Sequence, residues 1–178
     1  MKHLLVLRHA KASPDSSSGR DFDRPLTGLG HRAAAAIGRT LKAGDHRLDA
    51  VLSSPAARAV ETVAHVTPGA ASPLAPRLDR RLYNAPPETL LEVIGEVDGA
   101  IETLLIVGHN PGLQQLILEL ADDDSSGLRA QVGSNFPTAT LAELRLSIDH
   151  WDEAGPGCGR LLTLLRPGDL GVGGAGPE

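Results

Sequence analysis

Two apolar segments of the chain each end in a histidine. Residues 4–7, LLVL, run directly into Arg8 and His9, and residues 103–108, TLLIVG, run into His109. A neutral imidazole nitrogen can attack phosphorus, and a guanidinium presents a planar fork of donors that matches phosphate oxygens. These residue types predict phosphoryl transfer, in which one histidine is the nucleophile and the cations stabilise the transferring oxygens.

A third apolar segment supplies a further cation. Residues 48–54, LDAVLSS, read as a strand, and Arg58 lies one helical turn beyond Ser54. If the three strands are parallel, their carboxyl ends meet at one edge of the sheet, where ligand sites of open α/β sheets form. We therefore expect Arg8, His9, Arg58 and His109 to surround one site. The N-termini of the helices that follow Ser54 and Asn110 can add backbone donors.

Each feature taken alone also has a purely structural interpretation. An Arg-His pair after a strand can be surface decoration, Arg58 a solvated charge, and GHNPG a turn with an Asn N-cap. A metal site is a further alternative, but zinc normally takes a third His, Cys or carboxylate ligand. Arginine is not a metal ligand, so no metal is expected here.

Apolar spacing and turn residues predict the elements that must position these side chains. Helices are expected from Thr27, from Ser54 as N-cap with Pro55 at N1, from Pro87, and after Asn110. Strands are expected near 71–75, within 138–146 and over 159–167. Alternating strands and helices predict an α/β fold with a largely parallel sheet covered on both faces.

Length and composition set the broad class. The 178 residues suit one domain, predicted over 1–168 with a flexible glycine-rich tail over 169–178. The net charge of −5 argues against a nucleic-acid or anionic-membrane partner. No apolar run approaches the ~18 residues of a membrane span or the length of a signal h-region, so a cytoplasmic protein is expected. Cys158 is the single cysteine, so no disulfide within the chain is possible, and we expect an exposed bystander thiol.

Four segments in a fixed order carry a resemblance to a known family. LRHAKAS, RPLTGLG, LSSPAARAVET and LIVGHNPG resemble the histidine phosphatase superfamily, which includes the cofactor-dependent phosphoglycerate mutases, over about residues 3–120. Within it the chain is most similar to the small SixA-type phosphohistidine phosphatases. The resemblance implies three layers, with helices on both faces of a mainly parallel sheet that has one antiparallel strand. It implies that His9 is phosphorylated, that Arg8, Arg58 and His109 complete the phosphate pocket, and that no metal or cofactor is needed.

The chain departs from the family pattern in its acids. Many members carry an acidic proton donor after the second histidine, where this chain has Asn110, or before the third helix, where it has Tyr83 and Asn84. Glu88 is a weak candidate acid, although favourable charge at a helix N-terminus is the preferred interpretation. Many members also have Gly where this chain has Ala10.

The missing acid favours one substrate class. An alkyl phosphate must have its alkoxide protonated as it leaves, whereas phosphohistidine releases imidazole, a better leaving group. We therefore predict a monomeric phosphatase that acts on phosphohistidine in proteins. The alternatives are a small-molecule phosphomonoesterase that uses Glu88 as acid, and a phosphate-binding module without turnover. Additional substrate contacts are predicted at five positions: Lys11, Ser13, Tyr83, Asn84 and Asn110.

Overall fold

The computed structural model describes residues 1–70, 74–123 and 125–172. In these ranges, six strands form one sheet with the order β3-β2-β4-β1-β5-β6. The strands are β1 (Lys2–Arg8), β2 (Ala50–Ser53), β3 (Arg77–Leu78), β4 (Thr103–Gly108), β5 (Leu141–Leu146) and β6 (Gly159–Leu165).

The strand directions confirm a mainly parallel sheet with one antiparallel strand. β1 and β2 both pair with β4 in parallel, and β3 pairs with β2 in parallel. β5 runs antiparallel to its two neighbours, β1 and β6. Because β4 lies between β1 and β2, the loops that leave these three strands start side by side at the carboxyl edge.

Five α-helices of the described residues cover the sheet: α1 (Gly28–Ala43), α2 (Ala57–Gly69), α3 (Pro87–Gly95), α4 (Gly112–Leu120) and α5 (Leu128–Ser134). The side chains of β1 alternate between two apolar cores, as a strand covered on both faces requires. Leu5 and Leu7 pack with α1 and α2, whereas Leu4 and Val6 pack with α3, α4 and α5. The three-layer prediction is therefore confirmed.

The structure corrects the predicted start of α2. The helix begins at Ala57 rather than at Pro55. Its N-cap residue is Ala56, which makes no side-chain hydrogen bond to the helix. Ser54 is not the N-cap, because its hydroxyl accepts the Ala56 backbone N–H and contacts His109 instead. Helix α5 was not predicted, and its short apolar face fully buries only Val132.

Two other predictions concern segments at the limits of the described chain. The strand expected near 71–75 falls mostly outside the described residues, and Leu74 and Ala75 are not in a strand; the edge strand is β3. Pro167–Leu170 form a 3-10 helix, and Leu170 and Val172 pack against the core under α1. Residues 173–178 are not described, so the flexible tail and the domain limits stay predictions. None of the described helices combines the length with the apolar composition that a membrane span requires.

Candidate active site

Backbone hydrogen bonds bring the ends of three strands into register. Arg8 lies opposite Gly108, and Ser53 lies opposite Val107. Beyond the ladders, the His9 N–H donates to Gly108 O at 3.0 Å, and the Ser54 N–H donates to Val107 O at 3.0 Å. The parallel arrangement on which the sequence grouping depended is therefore present.

His9 is held in one tautomer. Its Nδ1 lies 2.7 Å from the Ala10 carbonyl oxygen, which can only accept, so Nδ1 carries the proton. Nε2 is then the nitrogen with the free electron pair, and it accepts from Arg58 Nε at 3.3 Å. Thr62 fixes the turn, because its Oγ1 accepts the Ala10 N–H at 3.0 Å and donates to Arg58 O at 2.7 Å. The buried His9 therefore presents Nε2 as its reactive atom.

His109 lies beside His9, with ring centroids 5.2 Å apart. Arg58 Nη2 is 3.3 Å from His109 Nδ1, and a guanidinium can only donate, so Nδ1 accepts. His109 Nε2 therefore carries the proton and donates to Ser54 Oγ at 2.7 Å. Burial, together with the neighbouring His9 and Arg58, lowers the pKa of His109 from 6.5 to about 3. The imidazole is thus neutral at neutral pH.

Arg8 approaches the same site from the end of β1. Its Nη1 donates to Phe136 O at 3.1 Å, and Asn110 Nδ2 donates to the same oxygen at 2.8 Å. The Arg8 charge also contributes to the lowered pKa of His109. The structure therefore brings the four predicted side chains together, and the Phe136 carbonyl orients one of the two arginines.

Asp21 is the site residue that sequence analysis missed. Its Oδ2 accepts from Tyr83 Oη at 2.5 Å and from Arg58 Nη2 at 3.1 Å, and its Oδ1 accepts from Arg24 Nε at 2.9 Å. The Tyr83 hydrogen bond lowers the pKa of Asp21 most; Arg58 and Arg24 lower it further against the opposing effect of burial, to about 2. Asp21 is therefore a carboxylate at neutral pH.

Tyr83 joins this group from the segment before α3. Its ring lies edge-on to the His109 ring, with centroids 5.4 Å apart. The hydrogen bond to Asp21 raises the pKa of the Tyr83 hydroxyl. Close packing holds the segment against α4, since a Cβ on Gly112 would lie 1.9 Å from Ala85 O. The second glycine of GHNPG is thus required for this approach.

Three other residues were predicted to contact substrate, and their described contacts lie outside the pocket. Lys11 lines a small cavity with Leu29 and Ala33, and Ser13 Oγ accepts the Asp15 N–H at 3.3 Å. Asn84 is exposed, with a left-handed φ of 47°. Their roles as substrate contacts stay predictions.

Glu88 lies exposed in the first turn of α3, consistent with the helix N-terminus interpretation. Among the described residues, its side chain makes no hydrogen bond or ion pair. Within the same residues, no group of three His, Cys, Asp or Glu side chains is placed to hold a metal ion.

The arrangement suits transfer of a phosphoryl group. One imidazole offers an unprotonated nitrogen, a second imidazole lies beside it, and two guanidinium groups supply positive charge at the same edge of the sheet. Cationic donors fixed in this way stabilise the charge on transferring phosphoryl oxygens. Fold and site together define a protein of the phosphoryl-transfer class.

Comparison with known proteins identifies the family. The profile of the histidine phosphatase superfamily (branch 1) matches residues 4–85. An uncharacterised protein of Mycobacterium tuberculosis is 39% identical over 164 residues, which span 90% of this chain and 99% of that protein.

Similar solved structures indicate the same family. A protein of Nakamurella multipartitia assigned as a phosphohistidine phosphatase SixA has a TM-score of 0.81 and 30% identity, covering 93% of this chain and 96% of its own. A protein of Agrobacterium tumefaciens with the same assignment has a TM-score of 0.76 and 30% identity, covering 93% and 98%. The chain therefore belongs to the histidine phosphatase superfamily.

Proposed function

We propose that this protein hydrolyses phosphohistidine in another protein through a phosphorylated His9. The observation that carries the proposal is the tautomer of His9, whose Nδ1 is held by Ala10 O and whose Nε2 lies in the pocket beside Arg58 and His109. The SixA assignment of the similar structures supports the same substrate class.

In the first step, the electron pair of His9 Nε2 attacks phosphorus and the phosphorus–nitrogen bond of the substrate breaks. The pair from that bond goes to the substrate ring, which leaves as neutral imidazole when its other nitrogen carries a proton from solvent. Arg8 and Arg58 donate to the phosphoryl oxygens during the transfer, and His109 positions Arg58 through Nδ1 while its Nε2–H stays on Ser54 Oγ. No proton has to be delivered at the bond that breaks.

In the second step, a water oxygen attacks the phosphorus of phospho-His9. The Nε2–phosphorus bond breaks and its electron pair returns to Nε2. Both water protons leave with the phosphate as H2PO4⁻, which passes one of them to solvent. Because Nδ1 keeps its proton against Ala10 O, the ring of phospho-His9 is an imidazolium and leaves phosphorus as neutral imidazole, a good leaving group. The same hydrogen bond thus favours both the formation and the breakdown of the intermediate.

The state of Asp21 supports phosphohistidine over an alkyl phosphate. A pKa of about 2 keeps this carboxylate ionised, so at neutral pH it has no proton to give a departing alkoxide. A phosphoramidate that leaves as imidazole does not require that proton. Glu88, the acid of the alternative phosphomonoesterase, has no described contact with the pocket.

The experiment is a comparison of substrates. We expect kcat/KM for a phosphohistidine protein to exceed that for a panel of sugar and nucleotide monophosphates, and Glu88→Gln to leave the phosphohistidine value unchanged. A preferred ester substrate whose hydrolysis is lost in Glu88→Gln would overturn the proposal in favour of the phosphomonoesterase. Tight binding of phosphohistidine without phosphate release would favour a binding module.

A further inference from the structure

An open groove lies next to the phosphate pocket. It has a volume of about 340 Å³ and is lined by Arg20, Phe22, Arg80 and Tyr83. Tyr83 belongs to both sites, because its ring packs against His109 and its hydroxyl donates to Asp21. When the phosphoryl group of a substrate lies in the pocket, the rest of the substrate can therefore extend past Tyr83 into this groove.

The cations around the groove differ in how they are neutralised. Arg81 Nη2 lies 2.7 Å from Asp79 Oδ2, and Arg81 Nη1 lies 2.7 Å from Glu96 Oε1. Arg77 approaches the same two carboxylates, at 3.6 and 3.3 Å. These two arginines and two carboxylates cancel one another and leave no charge for a ligand.

Arg80, which lies between Arg77 and Arg81 in the sequence, is not neutralised by these carboxylates. Its side chain is exposed, and within the described residues it forms no hydrogen bond or ion pair. The other arginine of the groove, Arg20, is paired with Asp23 at 2.7 Å. Among the described residues that line the groove, Arg80 therefore carries the one uncompensated positive charge. It lies beside the aromatic pair of Phe22 and Tyr83, whose ring centroids are 5.1 Å apart.

We propose that this groove recognises a carboxylate of the substrate protein, an Asp or Glu side chain near its phosphohistidine, through Arg80. One guanidinium beside aromatic rings suits a singly charged carboxylate with an apolar stem, whereas a second phosphate dianion would call for more than one free cation. The inference rests on the proposed function and adds to it a preference for acidic sequence around the phosphohistidine.

The test uses two phosphohistidine peptides of the same length, one with Glu and one with Gln at the flanking positions. We expect wild type to show a kcat/KM ratio of about five in favour of the Glu peptide, the upper end for an exposed ion pair. The ratio should fall to about one in Arg80→Gln and remain about five in the control Arg39→Gln, which removes the charge of an exposed arginine on α1 outside the groove. It should also shrink at high salt, which screens an exposed pair but would not change a purely structural role.

The outcomes separate this inference from the proposed function. Turnover of both peptides with a wild-type ratio near one, or a ratio that persists in Arg80→Gln, overturns the groove and leaves the phosphatase intact. No turnover of either peptide overturns the proposed function itself. An Arg80→Gln effect confined to a small bisphosphate would assign the groove to a second phosphate and also overturn the inference.

Discussion

The neutral state of His109 gives a prediction about stability. Its pKa is about 3 in the folded protein, below the 6.5 of a free imidazole, because the ring is buried beside His9 and Arg58. As the pH falls below about 6.5, the unfolded chain takes up a proton at this position and the folded chain does not. His109 therefore makes the protein less stable as the pH falls from about 6.5 towards 3.

The size of the effect follows from linkage. Between about pH 7 and 5 the proton excess of the unfolded state rises from about a quarter to nearly one, and integrated at 1.36 kcal/mol per proton and pH unit it costs about 2 kcal/mol of unfolding free energy. His109→Gln keeps an N–H that can reach Ser54 Oγ but does not titrate. We therefore expect the fall in stability between about pH 7 and 5 to be smaller in His109→Gln by about 2 kcal/mol.

The assay is urea unfolding of both proteins across this pH range, analysed as free energies of unfolding. All other titrating groups are common to the two proteins, so the difference between their pH profiles isolates position 109. Parallel profiles, with a constant offset between wild type and His109→Gln, would mean that His109 titrates normally in the folded protein. The description of a neutral, desolvated imidazole beside His9 would then be wrong.

Three further predictions test the surroundings of the pocket. Tyr83→Phe removes the main cause of the low pKa of Asp21, so carboxyl NMR should find that pKa raised from about 2 towards 3.8; an unchanged value contradicts the hydrogen bond. Gly112→Ala places a methyl group against Ala85 O and should cost about 1–3 kcal/mol in thermal unfolding; an unchanged midpoint contradicts the close approach. Arg58→Lys loses the planar fork and should lower kcat/KM at least about 100-fold; near wild-type turnover contradicts its role.

The centre of the site was predictable because it depends on strand ends. Arg8-His9 and His109 each follow a short apolar run, and parallel strands deliver their ends to one edge. The structure adds the register of β1 and β4, in which Arg8 lies opposite Gly108 and His9 is brought close to His109. Arg58 was predictable as well, since a helix following the neighbouring strand carries its first turn to the same edge.

The periphery of the site was not predictable from periodicity. Asp21 lies in a 3-10 turn, Asp21–Asp23, within a long polar loop, and nothing local distinguishes it from its neighbours. The signal that could have found Asp21 is electrostatic. An arginine expected inside a phosphate pocket needs a counter-charge, and the structure shows that Arg58 is buried. Tyr83 was named only through the resemblance. Its edge contact with His109 depends on the packing of Ala85 against Gly112, which no spacing rule encodes.

The same distinction applies to the fold. The long, strongly periodic elements were predicted, whereas α5 and the two-residue β3 are too short to show a period. The predicted start of α2 was wrong because serine favours the N-cap position, whereas the Ser54 hydroxyl is hydrogen-bonded to His109 and to the Ala56 N–H. A tertiary contact overrode a local preference, and it did so at the active site.

The most direct test of the account is whether phosphate passes through His9. A protein carrying radiolabelled phosphohistidine is mixed with the enzyme and quenched in alkali within milliseconds, and the labelled peptide is then mapped. We predict a transient, acid-labile label on His9 that is absent from His9→Ala and retained in His150→Ala, which alters an exposed histidine outside the site. Phosphate release at the wild-type rate by His9→Ala, or label on another residue, would contradict it.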